Sequence, residues 1–148
     1  MHEERPISLF CDLHGHSWKK NIFMYGCNVP KSPEETRIFP FLLGKLCPFF
    51  NFYDSRFGNQ KSKEATARVA TFNELKFPNI FTMESSFCGN DTGPNAGNHF
   101  TWEMLEQVGR DLCRTLLIYE NIAVPTNMQI PEDKDSQDGS IKFPSKKF

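Results

Sequence analysis

The tightest constraint on this chain lies in residues 10 to 17, Phe-Cys-Asp-Leu-His-Gly-His-Ser, whose alternating character commits the backbone to an extended segment. In a strand, residues two apart point the same way. Asp12, His14 and His16 therefore share one face, while Cys11, Leu13 and Gly15 share the other. Two imidazoles beside a carboxylate suit metal ligation, because a zinc-binding His commonly donates its second ring N–H to a carboxylate. The same three residues also suit a plain polar loop mouth, and the octapeptide alone leaves both readings open.

With 148 residues the chain has room for one domain with a real core, but it is short for a complete metallohydrolase. A net charge of −1 gives no general reason to expect nucleic acid or an anionic membrane as partner. The charge is unevenly spread. Residues 18 to 68 carry nine Lys or Arg against four acids, a local net of +5, which leaves −6 for the remainder. Such a segment is a solvated mixed surface or a basic rim that draws an acidic substrate. Five cysteines, an odd number without a C-x-x-C pair, point to reduced thiols in the cytosol. The longest apolar run, Ile38 to Tyr53, is broken by Lys45 and two prolines, so it does not span a bilayer and a soluble protein is expected.

Periodicity places a buried strand at Ile7 to Leu13 and a second at Asn21 to Tyr25, closed by Gly26. Ser32-Pro-Glu-Glu35 has the hydroxyl, proline and carboxylate of a capping box, which predicts a helix starting there and limited or kinked by Pro40. Asn51 to Arg56 reads as a short strand, and Glu64 to Leu75 is of open type. Asn79 to Phe87 is a strand with Thr82 and Glu84 on one face and Phe81 and Met83 on the other. Cys88 to Asn98 is a loop. Trp102, Leu105, Val108, Leu112 and Leu116 then recur at helical spacing behind Thr101 as cap. From about residue 123 the chain is too polar to pack and reads as a disordered tail.

Glu84 is the second chemical feature. A carboxylate late in a central apolar strand is partly desolvated, which suits it to move protons near neutrality; the plain alternative is a solvent-facing Glu at a strand end. His99, at the head of the long helix, reads as a capping or surface residue. Ser85 and Ser86 lack a nucleophile elbow, and no glycine loop has the spacing of a phosphate cradle. Metal-assisted hydrolysis remains. An H-x-H strand end also opens the amidohydrolase barrels, but those need about 250 residues and further His and Asp ligands.

The run Asp12-Leu-His-Gly-His-Ser17, followed by Trp-Lys-Lys-Asn-Ile-Phe-Met-Tyr-Gly-Cys27, closely resembles the zinc metallocarboxypeptidases, in particular the cytosolic branch that trims glutamate from tubulin. The likeness continues in order through Lys63-Glu-Ala-Thr-Ala-Arg-Val69, Phe81-Thr-Met-Glu-Ser-Ser-Phe-Cys-Gly89 and His99-Phe100. It spans residues 7 to 118.

This resemblance implies an α/β fold, a mixed β-sheet flanked by helices, of which the chain is the C-terminal half: residues 1–122 a catalytic-domain portion, 123–148 the tail. It implies that His14 is the last of three zinc ligands and that Glu84 is the catalytic glutamate. Arg68 falls in the family's basic substrate loop, and Asp12 and His16 are site-adjacent. It further implies a Zn2+ cofactor, acidic tubulin-like or polyglutamate tails as substrate, and a cytoplasmic setting with microtubule or cilium association.

The chain departs from the family pattern in one decisive respect. No His-x-x-Glu occurs in it, so two of three zinc ligands are lacking, as are the arginine and asparagine that grip a substrate's terminal carboxylate. Trp18 also stands where a basic or polar residue is usual. Two functions follow as expectations: a metallocarboxypeptidase completed by an N-terminal half, or an inactive fragment serving at most as an acidic-tail binding module. Half a sheet would also expose an edge and invite aggregation.

Overall fold

The computed structural model describes residues 6–58 and 66–121. Among these, three strands form one mixed sheet in the order β1-β3-β2: β1 at Phe10–His16, β2 at Ile22–Gly26 and β3 at Ile80–Ser86. Helices α1 (Glu35–Leu46), α2 (Ala67–Leu75) and α3 (Trp102–Tyr119) flank it, giving the α/β architecture the sequence implied. The proposed tail at 123–148 lies outside the described residues.

β3 holds the centre because it is apolar on both faces, with Ile80, Phe81 and Met83 buried. It runs parallel to β1 and antiparallel to β2. On one face Ile22, Met24, Phe81 and Met83 meet Phe39 and Leu43 of α1 and Val108 of α3, which makes the main core. Each fully buried large side chain there contributes roughly 1.5–3 kcal/mol. On the opposite face α2 packs Val69 and Phe72 against Ile80, with Phe10 half-buried beside them. α2 therefore covers only the start of the parallel strands. Their C-terminal ends stay open on that face.

Several elements differ from the sequence expectation. The first strand lies three residues later than Ile7 to Leu13 and is an edge strand, half-buried at its start, with Leu13 63% exposed. Its entry is set by Phe10 N–H bonding to the Asn79 carbonyl at 2.9 Å and by the Asn79 amide bonding to the Ser8 carbonyl at 3.0 Å. The capping box at Ser32 does not form. Backbone bonds close that turn instead, Glu35 N–H to the Ser32 carbonyl and Arg37 N–H to the Glu34 carbonyl, while the Arg37 guanidinium bonds to the Pro33 carbonyl. α1 therefore starts at Glu35 without a side-chain cap, and Pro40 sits buried inside it.

Residues 52–54 form a 3-10 turn rather than a strand, because the Asn51 side chain accepts from Tyr53 N–H at 3.0 Å and its amide donates to Asp54 at 2.9 Å. Such local side-chain bonding competes with strand pairing. Two isolated bridges, Ile22 with Phe50 and Tyr25 with Arg56, pair this segment with β2, and Met24 N–H donates to the Ser55 hydroxyl at 3.0 Å. The open stretch before Leu75 resolves as α2, ended by Lys76 in the left-handed conformation at φ 55°.

α3 begins where expected, with the Thr101 hydroxyl accepting from Met104 N–H at 3.4 Å. Its buried face keeps the expected Val108, with Leu112 and Leu116 packed half-buried against the core, but it also takes in Asp111 and Thr115, whereas Trp102 and Leu105 of the first turn are 68% and 44% exposed.

Candidate active site

Parallel pairing of β1 with β3 sets Asp12 opposite Thr82, His14 opposite Glu84 and His16 opposite Ser86. β2 adds Phe23 opposite Glu84 and Tyr25 opposite Thr82. Register partners point to the same side of a sheet, so His14, Glu84 and Phe23 form one row across three strands about 4.8 Å apart. Asp12, Thr82 and Tyr25 form the row before it. Both rows lie on the face that α2 leaves open, near the carboxyl ends of the parallel strands, where α/β sheets commonly place their ligands.

The side chain of His14 is 58% exposed, and its Nδ1 lies 3.0 Å from an Asp12 carboxylate oxygen. A carboxylate only accepts, so Nδ1 is the donor in this pair. Gly15 explains how two histidines flank a bare position: a Cβ there would overlap the Phe87 ring, which lies against the back of the strand.

His16 faces the same way but is otherwise engaged. Its Nδ1 accepts from Trp18 N–H at 3.2 Å and from Lys19 N–H at 3.0 Å, and its ring packs edge-on against Phe23 with centroids 5.3 Å apart. Arg68, on α2, is 4% exposed. Its guanidinium donates to the Gly26 carbonyl at 2.7 Å and to Cys27 Sγ at 3.1 Å, tying α2 to the end of β2.

Glu84 is half-buried on the central strand between these groups. The structure thus brings Asp12, His14, His16 and Glu84 onto one open face, and holds Arg68 at the far end of β2 on backbone and thiol partners.

Tyr25 is a residue that the linear sequence does not single out, yet it joins this face. Burial, reinforced by the negative charge of Glu84, raises its phenol above the ordinary value, while Arg56 and Arg68 act in the opposite sense. Alternation within β2 carries the signal, but only once its register with β3 is known.

The chemistry of the donor set is limited. Among the described residues no three His, Cys, Asp or Glu side chains gather closely enough to hold a metal ion. One imidazole, oriented by Asp12, faces outward. A catalytic zinc takes three protein ligands and an open position, so the described residues do not by themselves make such a site.

No family model matches the chain. Cytosolic carboxypeptidase 3 of Bos taurus is 46% identical over 122 residues, which is 79% of this chain and 12% of that protein. Cytosolic carboxypeptidase 2 of Homo sapiens is 44% identical over 118 residues, 78% of this chain and 13% of that protein. Over about four fifths of its length this chain is similar to one stretch of the cytosolic carboxypeptidases. It spans about an eighth of the length of the cytosolic carboxypeptidases it matches.

Solved structures agree on the fold. A metallo-carboxypeptidase from Burkholderia cenocepacia superposes with a TM-score of 0.65 at 15% identity, covering 81% of this chain and 32% of the other. One from Pseudomonas aeruginosa, in complex with (2-guanidinoethylmercapto)succinic acid, gives 0.67 at 20% identity, covering 82% and 34%. Both neighbours are metallo-carboxypeptidases, and at this level of identity what they share with the chain is the fold. No described helix is long and apolar enough to cross a membrane.

Proposed function

We propose that the chain supplies one metal-binding imidazole, His14, and the proton-carrying carboxylate, Glu84, of a zinc-dependent metallocarboxypeptidase that releases C-terminal or branch-point glutamate from acidic tails such as those of tubulin. The observation that supports this reading is the register of β1 on β3, which pairs His14 with Glu84 on the open face of the sheet. The remaining zinc ligands come from outside the described residues in this reading, in the form of a His-x-x-Glu pair.

Glu84 then takes the proton of the attacking water on its carboxylate and hands it to the departing amine. Asp12 keeps the His14 ring in one tautomer, and the packed ring of His16 walls the site beside Phe23. Arg68, expected from the resemblance to meet the substrate, is buried on Gly26 and Cys27, so its role in this reading is to hold α2 on the end of β2. The local excess of basic residues between 18 and 68 agrees with such a substrate. A cytoplasmic, microtubule- or cilium-associated setting belongs to the same proposal.

The test is hydrolysis of a polyglutamate peptide by this chain combined with a segment bearing His-x-x-Glu, with zinc present. Glu84→Gln should lower kcat by about 10²- to 10⁴-fold with little change in zinc content, the scale of a lost acid–base group. Undiminished turnover by that variant would remove Glu84 from the mechanism.

A second reading is favoured by one observation, the lack of a three-ligand cluster among the described residues. In that reading the chain is an inactive fragment or pseudoenzyme that at most binds acidic tails. It predicts peptide binding without turnover, even in the presence of the complementary segment and zinc.

A further inference from the structure

Trp18 is the most exposed large apolar side chain among the described residues, at 92%. A ring of that size gains nothing by facing water, and exposed aromatic residues on rigid supports are typical contact anchors. Its support is rigid here. His16 Nδ1 gathers the backbone N–H groups of both Trp18 and Lys19, at 3.2 and 3.0 Å, so the chain turns sharply straight after β1.

The turn is pinned from below as well. The His16 ring packs on Phe23, the Lys19 ammonium lies 4.7 Å above the same Phe23 ring, and it donates to the Asp54 carbonyl at 3.2 Å. Next in sequence, Lys20 is exposed. The result is an indole on a fixed post, flanked by an exposed cation, four residues beyond His14 at the open carboxyl end of the sheet.

We propose that Trp18 is a docking platform for the substrate polypeptide, and that His16 is its positioning residue. This rests on the functional reading above, in that the occupant is an acidic polypeptide led toward Glu84. The side-chain stem of a glutamate and its peptide planes lie against the indole face, and its carboxylate meets Lys20; charge complementarity within residues 18–68 selects the acidic occupant. His16 acts through geometry alone, by accepting the two N–H groups that fix the turn.

The experiment is binding rather than turnover, so its outcome is independent of whether Glu84 is catalytic. In the full chain carrying Trp102→Phe, the emission of Trp18 is followed during titration with a peptide ending in four glutamates and, separately, with its glutamine counterpart. A saturable spectral shift with the glutamate peptide, and at least severalfold weaker binding of the glutamine one, is the expected result.

By anisotropy of a labelled glutamate peptide, Trp18→Ala should weaken binding on the order of tenfold, the scale of a truncated aromatic anchor, and Trp18→Phe should retain most of it. His16→Ala should match Trp18→Ala and add nothing to it in the double variant, whereas His16→Asn, which keeps an acceptor for the two N–H groups, should restore binding. Near-ultraviolet circular dichroism checks that each variant is folded.

An emission spectrum that stays unmoved at saturation, or equal affinity of Trp18→Ala and Trp18→Phe, would overturn the platform. Additive losses from the two alanine variants would overturn the role given to His16. Failure of the wild-type chain to bind either peptide counts against the proposal too. Intact binding with no hydrolysis by the completed enzyme would instead count against the functional reading.

Discussion

The two faces of this small sheet obey different rules. On one, Ile22, Met24, Phe81 and Met83 are sealed under α1 and α3, and each position is decided by volume. On the other, α2 covers Phe10 and Ile80 and stops, so Asp12, His14, Thr82 and Glu84 meet solvent beside a half-buried Tyr25. The first face holds the fold together. The second is available for chemistry, and the contrast teaches that stability and function here are separated by the pleat of single strands: Met83 and Glu84 are neighbours in sequence and belong to opposite tasks.

That separation is most directly tested by paired substitutions. Phe81→Ala should cost about 3–5 kcal/mol in denaturant unfolding, the usual loss for a buried aromatic ring, whereas Glu84→Gln, three residues on, should stay within about 0.5–1 kcal/mol of the parent. Comparable losses from both would erase the distinction.

Glycines sharpen the comparison at smaller scale. A Cβ on Gly26 would come within 2.7 Å of the Phe57 ring and 3.2 Å of the Phe81 ring inside the core, so Gly26→Ala should destabilise by about 1–3 kcal/mol. Gly15→Ala also meets a ring, but Phe87 is 74% exposed and free to swing outward, so the cost should be under about 1 kcal/mol. Melting curves of the two variants should therefore separate clearly.

Thr101→Ala, which removes the hydroxyl cap of α3, should cost about 1 kcal/mol. The subtlest readout is thiol chemistry. Burial pushes the Cys11 and Cys47 thiols up to about 11, with the Met83 and Phe49 backbone groups acting in the opposite sense. Both stay protonated until well into the alkaline range, so at pH 8 they should react with a maleimide far more slowly than the exposed Cys88 and Cys113. Peptide mapping after timed labelling would show the order.

Legibility in the sequence follows the same division. β3 was readable because burial on both faces forces an apolar run, and α3 because its cap and spacing are local. What the spacing did not show on α3 is the burial of Asp111 and Thr115, two polar residues beside Val108 on the core side. They are accommodated there because the Thr115 hydroxyl bonds to the Asp111 carbonyl at 2.7 Å and the Arg114 guanidinium lies 3.3 Å from the Asp111 carboxylate. The capping box at Ser32 and the strand at Asn51 failed for a shared reason. In both places a competing local hydrogen bond, from Glu35 N–H to the Ser32 carbonyl and from Tyr53 N–H to the Asn51 side chain, closes a turn instead.

On the open face, alternation placed Asp12, His14 and His16 together, and a strand at 79–87 placed Glu84, but nothing in the linear order stated their mutual register. Tyr25 stayed invisible for that reason. Pairing between segments some 70 residues apart is a property of the assembled sheet.

The Asp12 carboxylate has a consequence for how a cation would be captured. With His14 Nδ1 already bonded to Asp12, part of the entropic cost of orienting this ring is met during folding and not on arrival of the ion. Weak affinity in the isolated chain would then reflect too few donors rather than a misplaced one, and adding a two-donor segment should raise affinity steeply, in the manner of a chelate closing.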